Sequence, residues 1–102
     1  MRESSEPRLT LAPAGENRYC LEGELSFSTA EEAIAAGRGL PLGQALSLDL
    51  SSLGRVDSAG LAVILEWWRQ SRHAGGSLKL EGLSEQVRKL IAISELEPVL
   101  LA

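Results

Sequence analysis

The stretch from Ala45 to Leu65 constrains this 102-residue chain more than any other. It opens on Ala45-Leu46-Ser47-Leu48-Asp49-Leu50. Successive side chains of a strand point to opposite faces, so Leu46, Leu48 and Leu50 share one side. Ser51 to Asp57, with Gly54 inside, reads as a loop. A helix is predicted from Ser58 or close to it as far as about Ala74, with Leu61, Leu65, Trp68 and Arg72 at helical spacing. Gly75 and Gly76 stop it. A strand with one apolar side that leads into an apolar-striped helix calls for a sheet with helices laid on it.

The flanking sequence supplies the rest of that sheet. Arg8 to Ala12 reads as a short strand with Leu9 and Leu11 on one side, and Pro13 to Asn17 as a turn. Arg18 to Leu25 is a second strand, with Tyr19, Leu21 and Leu25 inward, and closes a hairpin on the first. Thr29 with Glu32 has the spacing of a capping box, predicting a short Ala-rich helix that Gly37, Gly39 and Pro41 terminate. Ser77 to Glu81 is a further strand, with Leu78 and Leu80 on one side. Ser84 caps a third helix whose stripe is Val87, Leu90, Ile91 and Ile93 or Ser94. Pro98 lies beyond its end, and Val99 to Ala102 is expected to pack back as a short final element. The order is β-β-α-β-α-β-α: an α/β fold with a mixed β-sheet of about four strands and helices packed on it. Residues 8–102 form one domain, and the polar segment 1–7 is expected to be flexible.

Composition narrows the function. Aromatic residues are 4% of the chain, so Leu, Ile, Val and Ala must fill the core. The net charge is −4 and the basic residues are scattered. That argues against nucleic acid as a partner, because such binding draws on a Lys/Arg stripe, and against direct adhesion to anionic lipid. Cys20 is the only cysteine, so no internal disulfide can form, and its setting between Tyr19 and Leu21 predicts a buried, inert thiol. Met1 to Pro7 has no signal-peptide character, and the longest apolar run, Leu61 to Leu65, is too short to span a bilayer. A cytoplasmic location is the expectation.

Catalytic signatures fail in turn. One Cys and one His do not make a zinc site, and no Gly-rich phosphate loop is present. Ser58, His73 and Asp57 could be written as a triad, but helical rise separates residues 58 and 73 by about 22 Å. His73 reads as a cation near a helix C-terminus. Glu31 with Glu32, and Glu95 with Glu97, read as solvated faces. No cofactor, no metal and no enzymatic activity are expected.

What remains is Asp57-Ser58-Ala59-Gly60, between an apolar strand and an apolar helix. Asp or Ser at a helix start accepts free backbone N–H groups, which alone accounts for both residues. A hydroxyl there is also a favourable place for phosphate, because the free N–H groups and the helix dipole stabilise negative charge. Small residues at Ala59 and Gly60 would allow a partner to approach closely. Trp68 continues the Leu61–Leu65 stripe and is expected in the core. Trp67, about 100° round the helix, is expected to be partly exposed and available to a partner.

With these residues in view, the segment LSLDLSSLGRVDSAGLAVIL resembles the signature of the STAS domain: an apolar strand ending in Asp49-Leu50-Ser51, a loop, then Asp57-Ser58-Ala59-Gly60 opening an apolar helix. Within that superfamily the chain is similar to the MlaB type, on its length, its Leu21-Glu22-Gly23-Glu24-Leu25 strand and the ending from Gly82-Leu83-Ser84 to Leu96. The resemblance implies a non-catalytic subunit that binds the MlaF-like ATPase of a phospholipid-trafficking ABC transporter. It would reach the inner membrane only through that complex. Asp57, Ser58, Ala59, Gly60 and Trp67 would then be the contact residues. The same motif is similar to that of anti-sigma-factor antagonists, and this alternative implies an anti-sigma kinase as partner and phosphorylation at Ser58.

Overall fold

The computed structural model describes residues 8–93. The segment 1–7 and the tail from Ser94, including Leu96, Pro98 and Val99 to Ala102, lie outside the described residues, and the expectations placed on them go no further. Strands β1 (Leu9–Gly15), β2 (Arg18–Leu25), β3 (Ala45–Val56) and β4 (Ser77–Glu81) form one sheet in the order β1-β2-β3-β4. β1 and β2 are antiparallel, whereas β2–β3 and β3–β4 are parallel. A 3-10 turn (Phe27–Thr29) and α1 (Ala30–Gly37) follow β2, α2 (Ser58–His73) follows β3, and α3 (Glu85–Ile93) follows β4. The mixed four-stranded α/β sheet expected from the pattern is the one observed.

Leu46, Leu48 and Leu50 of β3 are buried together with Leu21 and Leu25 of β2 and Leu78 of β4. Ala33 of α1, Leu61, Val63, Ile64 and Trp67 of α2, and Val87 and Ile91 of α3 join them, and Leu9, Leu40 and Val56 complete this core. Burying each large apolar side chain stabilises the fold by roughly 1.5–3 kcal/mol, so the strand leucines and α2 supply most of the gain.

Several local expectations are corrected. β1 runs on to Gly15, with Pro13 opposite Tyr19. This is tolerable because β1 is an edge strand, where a missing N–H leaves no neighbour unpaired. The hairpin turn sits at Asn17, whose φ of 56° is left-handed. β3 absorbs most of the expected loop Ser51 to Asp57. Its second half pairs with β2 from Glu22↔Ser52 to Leu25↔Val56. Ser51, Ser52, Gly54 and Arg55 are exposed, so the backbone ladder persists where the apolar alternation stops. Cys20 is half-buried, not buried. With Leu21 inward, the period of two turns its neighbour to the outer face.

The expected capping box of Thr29 and Glu32 is displaced by one turn. Ser26 and Thr29 form it: Ser26 Oγ accepts the Ser28 N–H at 3.2 Å, and Thr29 Oγ1 accepts the Ser26 N–H at 3.0 Å. Thr29 Oγ1 also donates to the Glu24 carbonyl at 2.9 Å, so this fully buried hydroxyl is held in the Ser26 turn and makes no cap bond to α1. Glu32 instead pairs with Arg8 at 3.2 Å. Ser84 does cap α3, accepting the Val87 N–H at 3.2 Å, but Ile93 is 80% exposed and leaves the stripe.

The stripe of α2 is turned by one residue from the expectation. The buried positions are Gly60, Leu61, Val63, Ile64, Trp67 and Ser71. Trp67 is buried and Trp68 half-buried, the reverse of the expected pair, so Trp67 is a core residue and is withdrawn as a contact for a partner. Gly37 explains the choice. A Cβ on it would lie 2.2 Å from Trp67 Nε1, so the indole occupies room that only glycine leaves. Trp68 packs against the margin of the core under the Arg72 guanidinium, which lies 5.3 Å from the ring centroid. A stripe ending on Arg72 would have buried a cation, whereas one ending on Ser71 buries a hydroxyl.

Candidate functional site

The site stands where the parallel strands β2 and β3 end. β2 leaves the sheet through the Ser26–Thr29 turn and β3 leaves it through Asp57, so two loops meet at one edge. Asp57 is extended (φ −120°, ψ −173°) and is the N-cap of α2. Its Oδ1 accepts the Gly60 N–H at 3.0 Å and its Oδ2 accepts the Phe27 N–H at 3.1 Å. One carboxylate therefore holds the helix start and the neighbouring turn together. The Gly60 N–H is the main reason its carboxyl titrates below the ordinary value. The Phe27 and Ala59 N–H groups and the Arg55 guanidinium act the same way, against an opposing effect of desolvation.

Ser58 is exposed, Ala59 half-buried and Gly60 buried. The structure thus brings the four residues together but divides their work. Ser58 presents its hydroxyl outward at the first helical position. Gly60 faces inward, where a Cβ would lie 2.0 Å from the Leu25 carbonyl oxygen. Its small size serves the seating of α2 on β2, not the approach of a partner.

Beside Ser58 lies a residue that the sequence reading passed over. Phe27 is 82% exposed, an unusual position for the chain's single phenylalanine. Its turn is held from three sides. Asp57 takes its N–H, the Ser26–Thr29 box closes the turn, and Arg8 Nη2 donates to the Ser28 carbonyl at 2.8 Å. The available signal was Ser26-Phe27-Ser28-Thr29, an aromatic set among capping residues where no core stripe requires it.

Other concavities carry less. A groove of about 450 Å³ along α3 is lined by Val56, Glu85, Gln86, Lys89, Leu90 and Ile93. His73 lies exposed at the far end of α2 from Ser58, so the two do not meet. Among the described residues there is no group of three or more His, Cys, Asp or Glu side chains placed to hold a metal ion. Nor is any helix there long and apolar enough to cross a membrane.

The family described as "Mlab, STAS domain" matches residues 15–102. The chain belongs to this STAS family. An anti-sigma-B factor antagonist of Bacillus subtilis (strain 168) is 36% identical over 58 residues, 57% of this chain and 53% of that protein. This chain's match therefore spans about half the length of that curated relative. Among solved structures, the Bacillus cell fate determinant SpoIIAA in its phosphorylated form aligns with a TM-score of 0.65 at 21% identity, covering 90% of this chain and 87% of that one. A sulfate transporter family protein from Wolinella succinogenes aligns with a TM-score of 0.68 at 17% identity, covering 89% and 75%. At these identities the two structures speak to the fold alone: this STAS domain shares it with both.

Proposed function

We propose that this STAS domain is a non-catalytic docking protein of the anti-sigma-factor-antagonist kind, bound by an anti-sigma protein kinase through Ser58 and Phe27 and released when Ser58 is phosphorylated. The observation that carries this reading is the pairing of an outward hydroxyl at the start of α2 with an 82% exposed aromatic ring on the adjoining turn. The similarity to an anti-sigma-B factor antagonist supports the choice of partner. Docking surfaces concentrate their energy in a few aromatic anchors, and Phe27 is free to enter an apolar pocket without disturbing this domain's core. In the phosphoryl transfer, Ser58 Oγ would bond to the γ-phosphorus of ATP held by the kinase. The bond to the ADP oxygen breaks, and the hydroxyl proton passes to a base of the kinase. The product carries about −1.5 to −2 charges. Beside the Asp57 carboxylate, that charge would repel an acidic or apolar partner surface and end the complex.

A second reading has its own support in the family description, which is that of the Mlab type. In it the same edge docks the ATPase of a phospholipid-trafficking ABC transporter, which would place the domain at the cytoplasmic side of the inner membrane. One experiment separates the two. The tagged full chain is recovered from native cells, its partners are identified and its intact mass is read. A protein kinase partner and a species heavier by one phosphoryl group are the expected result, and in Ser58→Ala the heavier species is lost while the kinase is retained, because release requires the phosphate. An ABC-type ATPase with no phosphorylated species under several growth conditions overturns the first reading in favour of the second. Unaltered recovery of either partner by Ser58→Arg overturns both, since a bulky cation at the centre of the surface must interfere.

A further inference from the structure

Asp57 carries two hydrogen bonds that do different things. The bond from the Gly60 N–H to Oδ1 is an ordinary N-cap, and it explains why a carboxylate, an amide or a hydroxyl belongs at this position. The bond from the Phe27 N–H to Oδ2 is not a capping bond. It crosses 30 residues of sequence to a turn that the helix does not need. The turn already has its own closure in the Ser26–Thr29 box, so this bond is not required to form it. What it fixes is where the turn sits relative to α2, and therefore where the Phe27 ring stands relative to the Ser58 hydroxyl. The ring itself is 82% exposed and has little packing to hold it in place.

We infer that Asp57 is a positioning residue, whose second carboxylate oxygen ties the Phe27 turn to the start of α2 so that Phe27 and Ser58 meet the anti-sigma kinase as one preformed surface. The inference rests on the docking role proposed above and adds the device that sets its geometry. Preformed geometry matters because ordering a loop at the moment of binding subtracts from affinity. A carboxylate is needed here and an amide is not enough. Asp offers two acceptor oxygens, whereas Asn offers one, its other terminal atom being an NH2 donor that cannot accept the Phe27 N–H.

That difference supplies the test. Asp57→Asn keeps a capping residue of nearly equal quality, and it replaces the second acceptor with an NH2 donor while removing the carboxylate charge. On the unphosphorylated full chain, 1H–15N spectra should show the Gly60 amide still protected from exchange and the Phe27 amide shifted and exchanging faster. In the wild type the Phe27 amide shift should follow the titration of the Asp57 carboxyl. Affinity is then measured with the purified protein kinase identified by the mass and recovery experiment. Loss of one charge-assisted bond that organises the surface should weaken binding by roughly tenfold. Phe27→Ala should weaken it at least as much, and the double variant should be no weaker than Phe27→Ala alone, because a lost ring has nothing left to position.

The failures are distinguishable. An unchanged Phe27 amide in Asp57→Asn overturns the positioning role whether or not a partner is in hand. Weak binding by Phe27→Ala with full binding by Asp57→Asn overturns it too, and leaves the docking site standing. Full binding by Phe27→Ala overturns the docking reading itself. Additive losses in the double variant would mean that Asp57 touches the partner directly, and would overturn the inference as well.

Discussion

Gly60→Ala sets two physical effects against each other. Alanine is favoured over glycine in a helix by about 1 kcal/mol, so propensity alone predicts a more stable protein. The structure predicts the opposite. The new Cβ would lie 2.0 Å from the Leu25 carbonyl oxygen and 2.7 Å from its carbon, and both are backbone atoms that cannot rotate away. Going from 2.0 Å to the 3.4 Å of ordinary contact requires α2 or the end of β2 to move by about 1.4 Å. Neither is free to do so. Leu25 is fully buried and its carbonyl accepts the Asp57 N–H at 3.4 Å, while Asp57 grips Gly60 and Phe27. Overpacking of this kind costs about 1–3 kcal/mol, and disturbing the N-cap adds about 1 kcal/mol.

Set against the propensity gain, the net loss is about 2 kcal/mol, which for a domain of this size lowers Tm by roughly 10 °C. Urea unfolding followed by circular dichroism, with the buried Trp67 as a fluorescence probe, measures it directly. A midpoint equal to or above that of the wild type, with an unchanged slope, would refute the reasoning: it would mean that α2 is not seated on β2 through a contact without a side chain.

Three further outcomes follow from the same coordinates. Trp67→Ala should cost about 3–5 kcal/mol and Trp68→Ala no more than about 1–2 kcal/mol, compared by urea midpoint; the reverse ranking would mean that α2 is turned the other way. Ser71 is fully buried with its hydroxyl unpartnered, so Ser71→Ala should raise stability by about 1 kcal/mol in the same assay, and a loss would reveal a hydrogen bond to that hydroxyl. The Asp57 carboxyl titrates below its ordinary 3.8, so its contribution is complete above that value and disappears as pH falls through the lower folded value. In unfolding midpoints taken down the acid limb, Asp57→Asn should therefore match the wild type more closely as pH falls, and a constant gap would contradict the shift.

The parts of the fold that were legible are those where one signal acts alone. β2 and β4 set their leucines, Leu21 and Leu25 or Leu78 and Leu80, at the strand period of two, and both have the expected bounds, Arg18–Leu25 and Ser77–Glu81. The start of α2 follows from Asp57 and Ser58. Where signals compete, the reading erred. Ser51, Ser52, Gly54 and Arg55 look like a loop by composition, but pairing with β2 depends on backbone groups that composition does not report. The rotation of α2 could not be settled from its own residues, since both Trp67 and Trp68 extend an apolar stripe. The deciding atom is the Cβ that Gly37 lacks, on another helix. Phe27 escaped notice for a related reason. A single aromatic residue has no periodicity, and its prominence depends on a bond to Asp57 that is remote in sequence.

The candidate site also follows from helix geometry more tightly than its residue types suggest. Consecutive helical residues are about 100° apart around the axis, so positions two apart lie roughly 200° apart, on nearly opposite sides. Gly60 must face β2, because nothing larger fits against the Leu25 carbonyl. Ser58 is then forced outward, and Asp57, just before the first turn, is left in the plane where its two oxygens can reach a helix N–H on one side and the Phe27 turn on the other. The inward glycine and the outward serine are one decision, made by how α2 is seated. A change that pushes the start of α2 off β2 should therefore disturb docking as well as stability, and Gly60→Ala should show both. If the variant loses the expected 2 kcal/mol yet binds its partner as the wild type does, the orientation of Ser58 is set by something other than the seat of the helix.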